Sequence, residues 1–298
     1  MDFHKPTADE FEALHARLCA LEKPGADYGF YSMLFWQCYY GRIGEVCGCL
    51  TQINEYRKKL ICLAPTQDGD FAAAIAALHT LAQARGLTLC LRGVTQDVKQ
   101  VLEAAFPNRF SFRLNRNAAD YIYTVQELSQ LRGRKLQQKR NHCNHFCEQN
   151  PDWHTETLTQ SNAHLCSEMA QAWYALHEPS EALECEKGAI ALALANFQRL
   201  KMDGLLLFAG QKVVAFSLGG RLNAQYYDVC FEKAFAEIEG AYAIINREFS
   251  RMVAEKYPQI SFLNREDDMG LAGLRMAKLS YKPTLLLEKY EALWEDEA

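Results

Sequence analysis

The sequence predicts an α/β protein made of two consecutive mixed-sheet (α+β) domains, residues 1–120 and 121–298. Two observations carry the prediction. Helix-period and strand-period stretches alternate up to about residue 120, and the alternation starts afresh at Tyr121. At 298 residues, 49% of them hydrophobic, the chain is long for one core and comfortable for two.

In order along the chain, residues 7–21 place Phe11, Leu14, Leu18 and Leu21 on one helix face, and Lys23-Pro24-Gly25 ends the run. Residues 28–50 are dense in aromatic side chains from Tyr28 to Tyr40, a core composition, and then turn to short strand-like pieces. Strands follow at 60–64 and 87–91 and helices at 71–85 and 95–105, with Pro65, Gly86 and Pro107 as breakers. In the second half, 121–125 reads as a strand, 127–149 as one long helix and 153–158 as a strand. Helices at 161–177 and 186–200 then precede a three-strand meander at 204–209, 213–222 and 225–231. A helix at 239–256 carries the apolar stripe Ala241, Ile244, Ile245, Phe249 and Met252. A strand at 260–263, a helix at 271–280 and a strand at 284–287 close the pattern, and the acidic residues 291–298 read as a solvated tail. This is the element order of the Gcn5-related N-acyltransferase fold.

A net charge of −5 excludes a protein that coats nucleic acid by bulk electrostatics, although a local basic surface remains open. No apolar run reaches the roughly 18 residues of a transmembrane helix. The opening Met1-Asp-Phe-His-Lys-Pro6 lacks the features of a signal peptide. The 11 cysteines are scattered and odd in number, so reduced thiols in a cytoplasmic protein are expected.

Polar chemistry concentrates in three stretches. Between Glu127 and His145, five Lys or Arg stand against one Glu. On a continuous helix, Arg132, Lys135 and Lys139 share a sector with Leu128, Cys143 and Phe146. Inward cations suit either a snorkelling helix end or a cleft that receives phosphate or carboxylate. With Arg140 and Asn141, they form the candidate donor-binding set. His142, Cys143, His145 and Cys147 crowd the same helix, but neighbouring helical residues diverge by about 100°, and a closed zinc site needs a second ligand cluster. No metal is expected.

The second stretch is Tyr226-Tyr-Asp-Val-Cys-Phe-Glu-Lys233. Alternation sets Asp228, Cys230 and Glu232 on one face and Tyr227, Val229 and Phe231 on the other. Glu232 is a candidate general base, and a structural ion pair with Lys233 or a neighbouring helix is the competing reading. The turn that follows has one glycine, Gly240, with Glu237 and Glu239. Coenzyme A-dependent members of this fold aim the N–H groups of a glycine-rich turn at pyrophosphate, which carboxylates would repel. Acetyl-coenzyme A is therefore disfavoured.

The third stretch, 263–283, follows a strand with Arg265, Glu266, Asp267 and Asp268 and continues into a helix bearing Arg275 and Lys278. One or two acids are expected to cap the helix, Asp268 first. Glu266, Arg275 and Lys278 join Glu232 as candidate catalytic residues, since Arg275 and Lys278 at i, i+3 can reach one ligand. A structural Glu266–Arg275 pair is the alternative. Asp228, Lys233, Asn264, Arg265 and Tyr281 complete the candidate cleft.

Five strings carry a family resemblance: Leu131-Arg-Gly-Arg-Lys-Leu136 with Lys139-Arg-Asn-His142, Phe231-Glu-Lys-Ala234, Glu239-Gly240, Asn264-Arg-Glu-Asp267, and Gly273-Leu-Arg-Met-Ala-Lys-Leu-Ser-Tyr281. They resemble a bacterial family named for its similarity to the C-terminal domain of phosphatidylglycerol lysyltransferases. The match spans most of the chain and is densest from Asp120 to Tyr290. The resemblance implies a tandem pair of Gcn5-related N-acyltransferase-like domains, as in the Fem-type peptidyltransferases. It implies transfer of an aminoacyl group from aminoacyl-tRNA, as co-substrate and partner, to an amine or hydroxyl of a small molecule, peptide or lipid headgroup. No tightly bound cofactor is implied. The chain departs from the full lysyltransferases in lacking a membrane-spanning part, which weakens a lipid acceptor. Two other functions fit the residues: an acyl-coenzyme A-dependent N-acetyltransferase, and a non-catalytic nucleotide- or RNA-binding module.

Overall fold

The computed structural model describes residues 1–295. The chain forms two compact units. Met1–Asp120, Asp267–Ala272 and residues 286–295 make the first, and Tyr121–Glu266 with Gly273–Leu285 make the second. The division near residue 120 is where the alternation restarts. The sequence, however, gives everything after residue 121 to one domain, whereas the chain returns twice to the first unit.

The first unit runs β1 (Phe3–His4), α1 (Phe11–Cys19), α2 (Phe30–Phe35), α3 (Gln37–Tyr40), β2 (Arg42–Val46), β3 (Cys49–Tyr56), β4 (Lys59–Leu63), α4 (Phe71–Ala84), β5 (Thr88–Val94), α5 (Gln96–Ala105) and β6 (Phe110–Leu114). The second runs β7 (Asp120–Thr124), α6 (Val125–Gln130), α7 (Gln137–Gln149), β8 (His154–Thr157), α8 (Ala163–Tyr174), α9 (Glu181–Asn196), β9 (Asp203–Ala209), β10 (Lys212–Arg221), β11 (Tyr226–Ala234), α10 (Ala241–Lys256), β12 (Phe262–Asn264), α11 (Ala272–Ser280) and β13 (Leu285–Leu287). The last strand, β14 (Tyr290–Trp294), belongs to the first sheet.

That sheet has the order β1-β2-β3-β4-β5-β14-β6, with β4 and β5 parallel. Helix α4 starts on Asp70, whose carboxylate accepts the Ala73 N–H, and buries Ala74, Ile75, Leu78 and Ala82 against Leu60, Cys62, Leu89 and Leu91. β14 replaces the expected solvated tail over 290–294, and residues 296–298 lie outside the described residues. Its period explains the difference. Tyr290, Ala292 and Trp294 alternate with Glu291 and Leu293. Ala292 is fully buried, Trp294 stacks on His79 at 4.0 Å, and Glu291 pairs outward with Arg113 at 2.6 Å. Nearby, the buried Lys289 ammonium bonds Asp120 at 2.6 Å and also meets Asp27. Burial pulls its pKa down, but the two carboxylates outweigh this and hold it well above the ordinary lysine value.

The second sheet has the order β13-β7-β12-β11-β10-β9-β8, and its three-strand meander is the one that the sequence predicts. Helix α10 packs its Ala241, Ile244, Ile245 and Phe249 inward. The helix expected at 127–149 is broken. Leu131 ends α6 in the left-handed region, Gly133 has φ +84°, and a 3-10 turn at Arg134–Leu136 leads into α7. Arg140 ties off the break by donating to the carbonyls of Leu131 and Gly133. One continuous angular count therefore cannot place Arg132 and Lys135, which are exposed. Beyond the break the count holds: Lys139 is half-buried, with Cys143 and Phe146 fully buried on the same face.

Candidate active site

In the second sheet, β11 and β12 run parallel and pair over 226–228 and 262–264. β12 stops there, while β11 continues to Ala234. Open sheets of this kind receive ligands beyond the carboxyl ends of parallel strands, where backbone pairing stops and side chains take over. Alternation sets Asp228, Cys230 and Glu232 along one face of β11, where Asp228 and Cys230 are buried rather than open to solvent.

Glu232 is tied on both oxygens. Arg265 Nη2 donates to one at 2.8 Å and Asn246 Nδ2 to the other at 3.1 Å, and the paired side chains are only 10–11% exposed. Its ionic partner is Arg265 rather than Lys233. Arg265 is itself held from several sides. Lys278 Nζ donates to its carbonyl at 2.5 Å, and its guanidinium lies 5.0 Å from the Tyr281 ring and 5.7 Å from that of Tyr123. The Tyr123 hydroxyl in turn donates to the Lys278 carbonyl at 2.7 Å. Burial lowers the Arg265 pKa, but Glu232 and the two tyrosines raise it further, so the guanidinium stays charged. Two buried atoms in this assembly have no protein hydrogen-bond partner: Arg265 Nη1, a donor, and Asn246 Oδ1, an acceptor. Buried polar atoms are nearly always satisfied by protein or by water, so each of these two atoms has room for one more hydrogen bond, and the Tyr123 hydroxyl lies beside the same guanidinium.

Tyr281 connects this assembly to an open groove. Lys139 Nζ lies 4.2 Å from the Tyr281 ring, and burial, then the nearby Arg265, lowers the Lys139 pKa. The groove has a volume of about 530 Å³ and is lined by Arg134, Lys135, Lys139 and Lys282, with amide or hydroxyl side chains between them and no carboxylate. Of the candidate donor-binding residues, Lys135, Lys139 and Asn141 line it. Lys135 is also bonded to Glu127 at 2.5 Å, which with Thr284 and Thr124 holds that carboxyl below its ordinary range. Arg132 is not among the lining residues, and Arg140 is used at the helix break.

The other candidates lie apart from the groove. Lys278 is buried against the Arg265 carbonyl, and Arg275 is half-buried one turn before it. Lys233, on the opposite face of β11, bonds Glu186 at 2.7 Å with its ammonium 3.9 Å from the Trp173 ring. Asn264 is fully buried and accepts the Glu266 N–H at 2.7 Å, holding Glu266 at φ +52°. Asp228, Cys230 and Glu266 bring their ligand atoms within 4.8 Å of one another. Burial, then the two carboxylates, pushes the Cys230 pKa well up. Asp267 and Asp268 accept the N–H groups of Met269 and Gly270, two residues on, at 3.0 and 2.9 Å. These bonds close turns just ahead of α11, and Asp268 also meets Arg116 at 3.3 Å.

The start of α10, where a coenzyme A pyrophosphate would need open backbone N–H groups, is covered by α7. A Cβ on Gly240 would lie 2.3 Å from the His142 carbonyl oxygen and 2.8 Å from Phe146 Cβ. Glu239 sits there 3.5 Å from His145 and 3.7 Å from His142.

Sequence reasoning missed Asn246 and Tyr123. Asn246 had a readable signal, as a polar residue one turn before the buried Phe249 and Ser250 of α10. Tyr123 reads as one more core aromatic in a strand, and only the sheet order places it beside Arg265.

Comparison with known proteins follows the same lines. The chain is similar along its whole length to a crystal structure of a conserved protein of unknown function from Bacteroides thetaiotaomicron, with 32% identity, TM-score 0.92, and 99% and 100% of the two chains covered. It has the fold of L-PGS from Bacillus licheniformis, with TM-score 0.69, 15% identity and coverage of 99% and 94%. It also has that of FemX, with TM-score 0.58, 10% identity and coverage of 98% and 97%. These likenesses and the two mixed sheets make the tandem acyltransferase-type architecture the observed one. A curated relative, an uncharacterized protein of Mycoplasmoides gallisepticum, is 24% identical over 185 aligned positions that cover 59% of this chain, and the chain spans 56% of that protein. Residues 20–293 match the family model described as phosphatidylglycerol lysyltransferase, C-terminal, and the chain belongs to that family.

Proposed function

We propose that the second unit transfers an aminoacyl group from the ester end of an aminoacyl-tRNA to an amine or hydroxyl acceptor. The observation that carries this reading is the unpartnered, buried Arg265 Nη1 beside the Glu232–Arg265 pair. In acyl transfer the carbonyl oxygen gains negative charge, and a fixed N–H donor aimed at it stabilises the transition state. Glu232 is then the anchor of that donor rather than a free base. Lys278, through the Arg265 carbonyl, and Tyr281, through its ring, hold the same guanidinium. Asn246 Oδ1 is the complementary acceptor, suited to an N–H of the aminoacyl group. The cationic groove suits the donor's phosphates, with Arg as a fork and Lys as a point charge.

Family membership supports the transfer chemistry, and the covered start of α10 argues against an acyl-coenzyme A donor. Charged tRNA as donor makes the cytoplasm the site of action. No helix among the described residues is long and apolar enough to cross a membrane, so a lipid headgroup, a peptide amine or a small amine would meet the site from solution or at a membrane surface. The test incubates the protein with a panel of radiolabelled aminoacyl-tRNAs and with phosphatidylglycerol vesicles, peptides or small amines, and follows label into the acceptor. Transfer in one combination, with no acetyl-coenzyme A binding by calorimetry, is expected. RNA binding without transfer in any combination would reduce the protein to a binding module, and micromolar acetyl-coenzyme A binding would replace the donor.

A further inference from the structure

Lys139 differs from the other cations of the groove. Lys135 is bonded to Glu127, and Arg140 to two backbone carbonyls. Lys139 is half-buried, and its ammonium faces the Tyr281 ring at 4.2 Å with no carboxylate among the described residues in salt-bridge contact. It stands where the basic lining meets the Arg265–Glu232 assembly, since Tyr281 touches both Lys139 and Arg265.

We propose that Lys139 is the proton relay of the transfer, giving its ammonium proton to the ribose oxygen that leaves the ester and taking the acceptor's proton in return. The proposal rests on the reading of the groove as an aminoacyl-ester site. The step balances without a further reactant. The acceptor oxygen or nitrogen forms a bond to the aminoacyl carbonyl carbon, and the bond from that carbon to the ribose oxygen breaks. The departing oxygen is protonated by Lys139, and the proton lost by the acceptor restores the ammonium.

The neighbouring groups leave this role to Lys139. An arginine does not deprotonate, which removes Arg265. Burial pushes the Tyr281 phenol up, so it keeps its proton. Lys278 is committed to the Arg265 carbonyl, and both Glu232 oxygens already accept hydrogen bonds. The charged and titratable groups around Lys139 are Arg265 after β12, Glu232 on β11, Tyr281 after α11, Cys143 on its own helix, and Arg134, Lys135 and Lys282 along the groove. Burial and Arg265 lower the Lys139 pKa, the direction that eases release of its proton.

Two measurements test the relay. Competitive labelling with acetic anhydride across pH, read by mass spectrometry, should give Lys139 a midpoint below the ordinary lysine value of about 10.4. Lys139→Arg keeps the charge and cannot exchange the proton. It should bind uncharged tRNA within about threefold of wild type yet transfer roughly 100-fold more slowly, the lower range of general acid–base effects. A Lys139 midpoint at or above the ordinary lysine value, or a Lys139→Arg protein that transfers at the wild-type rate, overturns the relay alone. A wild-type protein that transfers nothing overturns the aminoacyl-ester reading and the relay with it.

Discussion

Replacing Glu232 with Gln should cost the second unit more stability than most single polar changes elsewhere in it. The substitution keeps size and shape, so its main effect is electrical. It leaves the Arg265 guanidinium charged in a site where both side chains are only 10–11% exposed. Breaking one side of a buried ion pair costs about 3–5 kcal/mol, because the remaining charge stays desolvated. At about 2–4 °C per kcal/mol for a unit of this size, the thermal midpoint should fall by roughly 6–20 °C. Replacing both partners, Glu232→Leu with Arg265→Met, removes the orphaned charge and should recover most of the loss. Calorimetry and urea titration at pH 7 on wild type, Glu232→Leu, Arg265→Met and the double variant give the coupling directly, with Glu232→Gln measured alongside. A single-variant cost below about 1 kcal/mol, or a double variant as unstable as the sum of the singles, would refute the claim that this pair is buried and coupled.

Three further outcomes are expected. Gly240→Ala forces a Cβ to within 2.3 Å of the His142 carbonyl at φ +83°, so urea titration should show a loss of at least about 2 kcal/mol. Lys289→Met strands Asp27 and Asp120 and should cost the first unit about 3–5 kcal/mol at pH 7. Because the folded pKa of Lys289 is raised, its contribution is complete below the unfolded lysine value of about 10.4 and is lost only as pH rises through the higher folded value. The gap in thermal midpoint between wild type and Lys289→Met should therefore hold from pH 7 to about pH 10. For the groove, the logarithm of tRNA affinity should fall against the logarithm of salt with a slope near −3.6 if all four cations meet phosphates. Arg134→Ala with Lys282→Ala should reduce that slope by about 1.8 in filter binding.

Much of the second unit was legible because its patterns are strong. Three strands at period 2 and the α10 stripe at helical period have few other readings. Gly133 was legible too, as a breaker inside a helical pattern, but the charge run around it outweighed the signal. β14 was hidden by its acids. Glu291 and Glu295 suggest a tail, while the alternation of Tyr290, Ala292 and Trp294 reports the strand. For the site, alternation gave the Asp228–Cys230–Glu232 face, and the string at 264–267 contained Arg265. The pairing of Glu232 with Arg265 was beyond the sequence. It depends on β12 stopping at Asn264 while β11 runs on, a fact of sheet register with no local signature. The same holds for Lys278 on α11, whose ammonium reaches the backbone carbonyl of Arg265 just past β12.

The central claim is that Arg265 presents a fixed N–H to the carbonyl of an aminoacyl ester. The most direct measurement is single-turnover transfer of label from charged tRNA to acceptor by wild type and by Arg265→Lys, which keeps a cation beside Glu232 and removes the second N–H of the fork. The account predicts unchanged tRNA binding and a fall in transfer of about 10²–10³-fold, the range for losing one oxyanion donor. Equal transfer rates for the two proteins would contradict it.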